Sequence, residues 1–205
     1  ILLSSRGRYA EALAECRRAA ELDPLSAIGR YTTGWILCHA HRFDEAIDVI
    51  RRTLEVDPTE GIAHVILAAA LSGAGRHSEA VEAQEKALRG LGANNWALAT
   101  LGEHRALAGD RGSAARDLDE LEARARRFHV RAIHLARLHA ALGDLDAAFL
   151  HLERAVEERD PHLPWLAVSW PYSPPGDARL GAILRRIGIA PPAASGGDPV
   201  PAEEV

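Results

Sequence analysis

His41-Arg-Phe-Asp-Glu-Ala46 and Gly75-Arg-His-Ser-Glu-Ala80 stand 34 residues apart and are built on the same frame. That frame returns upstream as Gly7-Arg-Tyr-Ala-Glu-Ala12, and downstream as Gly109-Asp-Arg-Gly-Ser-Ala114 and Gly143-Asp-Leu-Asp-Ala-Ala148. Its first residues fall at 7, 41, 75, 109 and 143, without an insertion. A fixed period of this length means stacked copies of one supersecondary unit. The periodic residues have physical reasons. Ala12, Ala46, Ala80, Ala114 and Ala148 fall near the start of the second helix of each hairpin, where only a small side chain lets the paired helix approach. Gly34, Ala68, Gly102 and Ala136 repeat on the first helices and are small for the same reason, while Leu67, Leu101 and Leu135 fill the seam. Asp23-Pro24 and Asp57-Pro58 stop the second helices, because proline removes a backbone donor and restricts the residue before it. Gly75, Gly109 and Gly143 supply the positive φ that ends a first helix.

The composition fits a helical array. Hydrophobic residues make up 47% of the 205, enough for a core, and aromatics only 5%. A formal net charge of -5 argues against nucleic acid or an acidic membrane as partner. Cys16 and Cys38 form neither a CxxC pair nor a disulfide framework, so the expected compartment is cytoplasmic. The longest stretch of the first half without Asp, Glu, Lys or Arg, Gly61 to Gly75, is too short and too rich in Gly and Ala to span a bilayer. A chain that opens at Ile1 and has no methionine reads as a piece of something longer. Lys86 as the only lysine among 24 lysines and arginines points to GC-rich coding rather than to function.

The 34-residue unit resembles the tetratricopeptide repeat, a helix-turn-helix of that length. The resemblance covers roughly residues 1–161 and implies an all-α, right-handed α-solenoid of about five hairpins. The family's run of small residues followed by proline reads Gly34, Ala46, Thr53, Pro58 in the second unit, with Thr53 where alanine is usual. The fourth unit departs: Arg105 and Arg111 replace apolar residues, Leu121 replaces a small one, and no proline follows Ala123. First helices are expected near 27–40, 61–74, 95–108 and 129–142, and second helices near 8–22, 42–56, 76–90, 110–127 and 144–158. Residues 1–5 read as the stub of another first helix. Residues 162–190 form a connector and a capping helix, N-capped by Asp177 and stopped at Gly188, and 191–205 read as a disordered tail. The stretch from Ala148 to Gly188 also resembles the closing segment of large bacterial signalling proteins, although Ser169-Trp-Pro-Tyr172 stands where those show Asp-Pro before an aromatic. In such proteins the array follows a DNA-binding winged helix, a protein kinase or a nucleotide cyclase.

No chemistry of catalysis emerges. His39 and His41 are two apart and His134 and His139 five apart, so neither pair shares a helix face as metal ligands do, and no cofactor is expected. Gly73-Ala-Gly75 lacks the strand and the GK[ST] of a phosphate loop. Arg124, Arg126, Arg127, Arg131 and Arg137 could form a basic patch, but no interleaved aromatics suggest stacked bases. The resemblance directs attention to the concave face, where family members make contacts from four positions of each first helix. The candidates there are Tyr31, Trp35 and His39, then Val65, then Trp96 and Glu103, then Ile133 and Arg137. This groove is apolar with an aromatic edge, suited to an amphipathic helix or an extended apolar segment. The alternative is that Tyr31, Trp35 and Trp96 pack within the array.

The expected function is therefore a non-catalytic protein-interaction scaffold within a larger bacterial cytosolic regulatory protein, with an unidentified protein or peptide as partner. An assembly or autoinhibitory module for an upstream enzyme domain is the rival reading. Weak self-association through the N-terminal end is a third.

Overall fold

A computed structural model of the chain describes residues 2–23, 26–170, 172 and 177–189. The segment expected to be a disordered tail lies outside the described residues. Ten of the described helices are α1 (Tyr9–Leu22), α2 (Ala27–His39), α3 (Phe43–Val56), α4 (Gly61–Gly73), α5 (His77–Leu91), α6 (Asn95–Leu107), α7 (Arg111–Ala125), α8 (Ala132–Ala141), α9 (Leu145–Glu157) and the single turn α10 (Leu166–Ser169). After these comes α11 (Ala178–Arg186). From α1 to α9 each helix packs on the next, and the even-numbered helices α2, α4, α6 and α8 also pack on one another. They form the inner layer, and α1, α3, α5, α7 and α9 form the outer one.

The repeated motif explains how each outer helix begins. In the first three hairpins an arginine, which cannot cap a helix, stands just before the first turn. Arg42 instead donates Nε and Nη2 to the two carboxylate oxygens of Glu45, both at 2.6 Å, which holds a negative charge over the unpaired N–H groups of the helix start. Arg8 with Glu11, and Arg76 with Glu79, repeat the fork. In the last two hairpins aspartate replaces arginine and caps directly: Asp110 accepts from Ser113 N and Asp144 from Ala147 N. Glutamate is then unnecessary three residues on. Gly75, Gly109 and Gly143 all have φ between 76° and 89°, as the sequence predicts, and His41 takes the same left-handed turn at φ 57°.

The seams are as close as the small residues suggest. Ala46, Ala80, Ala114 and Ala148 are fully buried. A Cβ on Gly34 would lie 2.7 Å from Ile50 Cδ1, and one on Gly102 would lie 3.0 Å from Asp117 Cβ. The core runs along the array as a series of apolar clusters, the last of which joins Ile133, Phe149, Leu163, Leu166, Trp170, Ile183 and Leu184. Asp177 caps α11 through Arg179 N, and Gly188 follows its end at φ 74°, as expected.

Two expectations about the helices need correction. Residues 4–6 form a tight 3-10 turn, not the end of an α-helix; Leu3 packs on the first core cluster and Ser4 is buried. Helix α8 starts at Ala132 rather than near 129, after a turn in which Arg127 N and Phe128 N both bond Arg124 O.

Candidate partner-binding groove

The inner helices place Ile28, Tyr31, Trp35 and His39 in line on α2, and the equivalent residues of α4, α6 and α8 continue the face. The line is not uniformly open. Ile28 is 75% exposed and its counterpart Ile62 is 36% exposed. Tyr31 and Trp35 are half-buried, packed on Ile50, Ala63 and Ile66. Burial, together with the Glu60 carboxylate, pushes the Tyr31 phenol up to about 12. Trp35 stacks on His39 with ring centres 6.2 Å apart, and His39 Nδ1 lies 3.2 Å from Ser4 Oγ. Burial pulls the His39 imidazole down to about 4, so it is neutral at physiological pH. Trp96 is half-buried.

Three of the candidate residues are covered. Val65 is 2% exposed, Glu103 4% and Ile133 5%, so none of them offers a partner more than a trace of surface. Val65 is buried within the α4 layer. Glu103 and Ile133 are buried because the connector after α9 lies against them. The connector runs through a 3-10 turn, Leu163–Trp165, into α10, and seats Leu163, Leu166 and Trp170 in the same apolar cluster as Ile133.

The polar contacts at this end form one network. Arg137 Nε and Nη2 donate to the two oxygens of Glu103 at 2.9 and 2.5 Å, and Arg137 Nη1 donates to Ser169 O at 2.8 Å. The Tyr172 hydroxyl donates to Glu103 Oε1. Burial by itself would raise the Glu103 carboxyl, but the Arg137 guanidinium outweighs it and holds the carboxylate below its usual range. Burial and the Glu103 charge push the Tyr172 phenol well up, so it remains a donor. The sequence reading singled out Glu103 and Arg137 and missed Ser169, Trp170 and Tyr172. A compositional signal was there: in a chain with 5% aromatics, Trp165, Trp170 and Tyr172 fall within eight residues.

The arginines of the supposed basic patch are dispersed among structural tasks. Arg124 donates to Ala93 O at 2.7 Å and to Glu120 at 2.8 Å. Arg131 Nη1 lies 2.6 Å from His162 Nδ1, and Arg127 stacks over Phe128. Among the described residues no group of three or more His, Cys, Asp and Glu is arranged to hold a metal ion. Burial pushes the Cys38 thiol up to about 12, which makes it a poor nucleophile. No described helix is long and apolar enough to cross a membrane.

Paired helices in two layers, with a continuous inner face, define a helical-repeat array, a class whose members generally act as protein-interaction scaffolds. Residues 1–59 and 31–95 match the family model described as tetratricopeptide repeat, and the structure carries the same hairpin through α9. Among solved structures, the chain is similar to TTC0263, a thermophilic tetratricopeptide repeat protein of Thermus thermophilus, with 19% identity and a TM-score of 0.62 over 89% of this chain and 92% of that one. It is also similar to a chain of the APC/C hetero-tetramer Cut9-Hcn1, with 20% identity and a TM-score of 0.61, covering 91% of this chain but only 35% of that one. A third similar structure is MamA, with 17% identity and a TM-score of 0.52 over 77% of this chain and 92% of that one. No curated protein gave a significant match.

Proposed function

We propose that this chain is a non-catalytic scaffold whose inner face, over the first three hairpins, receives an amphipathic helix or an extended apolar segment of a partner protein. The observation that carries this reading is the exposure of Ile28 and Ile62. They occupy the same position of consecutive units, on the face that also carries the half-buried rings of Tyr31, Trp35 and, one hairpin further on, Trp96. Isolated exposed apolar residues are ordinary, but two at the same position of neighbouring units make an apolar ledge. A helix bearing apolar residues at i, i+3 and i+7 has the matching surface. Tyr31 and Trp35 contribute their exposed edges while their inner edges hold α2 to α4, so part of each is core. The resemblance of residues 148–188 to the closing segment of large signalling proteins supports a place within a bacterial cytosolic regulatory protein.

The test uses Ile28, which is 75% exposed, and Ile62, which is 36% exposed. Peptides selected against the chain from a random display library should bind Ile28→Glu/Ile62→Glu at least about tenfold more weakly. Stability should change by no more than about 0.5 kcal/mol for Ile28→Glu, with a larger loss of about 1 kcal/mol at the more covered Ile62. Undiminished peptide binding by this variant overturns the reading.

A further inference from the structure

At its fourth and fifth hairpins the inner face is covered by a stretch of the chain itself. Ser169 lays its backbone carbonyl on Arg137, and Tyr172 lays its hydroxyl on Glu103. Between them Trp170 meets Tyr172 edge-on with ring centres 5.4 Å apart, and lies 6.3 Å from Phe149. Glu103 and Arg137 stand at the same position of consecutive units, the first of them one repeat after Ala69 and two after Trp35. The segment therefore sits on the very stripe that is open at the other end of the array.

Trp170 is buried in the last core cluster, but two features make the polar part of the contact separable from it. The first is that its polar floor is complete without it. Arg137 and Glu103 satisfy each other through two hydrogen bonds, so lifting the segment gives one guanidinium N–H and one carboxylate lone pair to water and strands no charge. The second is that the helix beyond has contacts of its own on α9. Arg179 donates to Asp146 at 2.8 Å and lies 4.2 Å over the Phe149 ring, and Arg186 pairs with Glu153. Helix α11 thus has polar ties to α9 of its own, besides the apolar cluster that its Ile183 and Leu184 share with Trp170.

We propose that the surface formed by α6 and α8, with Phe149 of α9, is a binding site for a tyrosine-bearing segment of a partner protein, and that the stretch carrying Ser169, Trp170 and Tyr172 is its resident occupant. The incoming segment places a main-chain carbonyl on Arg137, an aromatic ring against Phe149 and a phenol hydroxyl on Glu103. The main-chain contact is indifferent to sequence, while the buried carboxylate selects a hydroxyl over phenylalanine, because an unmatched buried acceptor is costly. A tethered occupant acts at millimolar effective concentration, so the resident segment excludes weak competitors and sets an affinity threshold. The inference rests on reading the inner face as a groove, but its test involves other residues than the exposed ledge.

The probe is a fluorescently labelled peptide of residues 162–173, titrated into the full chain and into its Trp170→Ala/Tyr172→Phe variant. The variant should bind the probe at least about tenfold more tightly than the parent chain, because its own segment competes less well. A probe with phenylalanine in place of its tyrosine should lose about tenfold of that affinity. Hydrogen exchange should show α8 and α9 as protected in the variant as in the parent. Loss of their protection would show that the segment is core and overturn the proposal. A variant that keeps its protection and binds neither probe would overturn it equally. Failure of the Ile28→Glu/Ile62→Glu test would instead indict the open ledge and leave this result standing.

Discussion

Arg105 Nη1 lies 3.0 and 2.9 Å from the two carboxylate oxygens of Asp117, joining α6 to α7 inside the fourth hairpin. The second nitrogen of the same guanidinium reaches Glu85 on α5 at 3.2 Å. A position that is apolar in the repeat pattern is here an ion pair, and the acid it requires arrives from the facing helix. Gly102 is part of the arrangement, since any Cβ there would crowd the Asp117 Cβ.

Arg105→Leu should therefore destabilise the chain by about 3 kcal/mol, because Asp117 is left buried without its cation. Burial already raises the Asp117 carboxyl against the opposing pull of Arg105, so the variant's acid should titrate higher still. The penalty should accordingly be largest at neutral pH and shrink as the pH falls and Asp117 takes up a proton. Arg105→Leu/Asp117→Leu should recover much of the loss in urea denaturation. A double variant as unstable as the single one would show that the pair is not what the position requires.

Over-packing a seam should cost more than changing the outer surface. Ala80→Leu is expected to lose about 1–3 kcal/mol, since Ala80 is fully buried where α5 crosses its neighbours. Gly34→Ala should lose stability too, because Ile50 Cδ1 and Ile66 Cγ2 would lie 2.7 and 3.0 Å from the new methyl. Glu82→Leu, on the exposed face of α5, should change stability by less than about 0.5 kcal/mol. Equal losses from Ala80→Leu and Glu82→Leu would contradict the observed register.

Stability should fall on mild acidification. Burial depresses His39, His104 and His134 to about 4 from an ordinary value near 6.5. The folded chain therefore binds fewer protons than the unfolded chain between those two values. Stability is full above about pH 7, declines as the pH drops through 6.5, and the loss is complete near 4. One such histidine is worth roughly 3 kcal/mol over the whole window. Melting temperatures measured at pH 7.5 and 5.0 should differ clearly, and identical values would mean that these imidazoles titrate normally.

Arg159 ends α9 with φ 53°, a conformation that L side chains avoid, and its side chain is exposed. Its N–H bonds Val156 O, and Asp160 N bonds Ala155 O, a helix stop that glycine adopts without strain. Arg159→Gly should raise stability by about 0.5–1 kcal/mol, net of the greater freedom glycine has when unfolded. A decrease in the thermal midpoint would show that the arginine has a role its strain conceals.

Much of the architecture was legible because each hairpin is local. The spacing of 34, the alanines from Ala12 to Ala148 and the glycines at 75, 109 and 143 mark helix starts, crossings and stops, and all are read over a few turns of chain. The reading was weaker wherever the repeat faded. Arg105 looked out of place until Asp117 and Glu85 appeared beside it. Leu121, in a small-residue position, proved to be fully buried core, packed with Leu98, Leu135 and Leu138.

The sequence by itself determined the unit, its number and the face each residue occupies, since helical periodicity alone sets which side chains share a side. Only the tertiary structure decided which part of that face is open. Ile28 and Glu103 lie on the same stripe, yet one faces solvent and the other lies beneath a tyrosine 69 residues further along the chain. Burial is a property of what comes to rest on a surface, and no local pattern encodes an irregular segment that folds back onto two earlier helices. A repeat specifies its neighbours through contacts that recur every 34 residues, whereas Ser169 and Tyr172 meet the groove once, through contacts that the period does not contain.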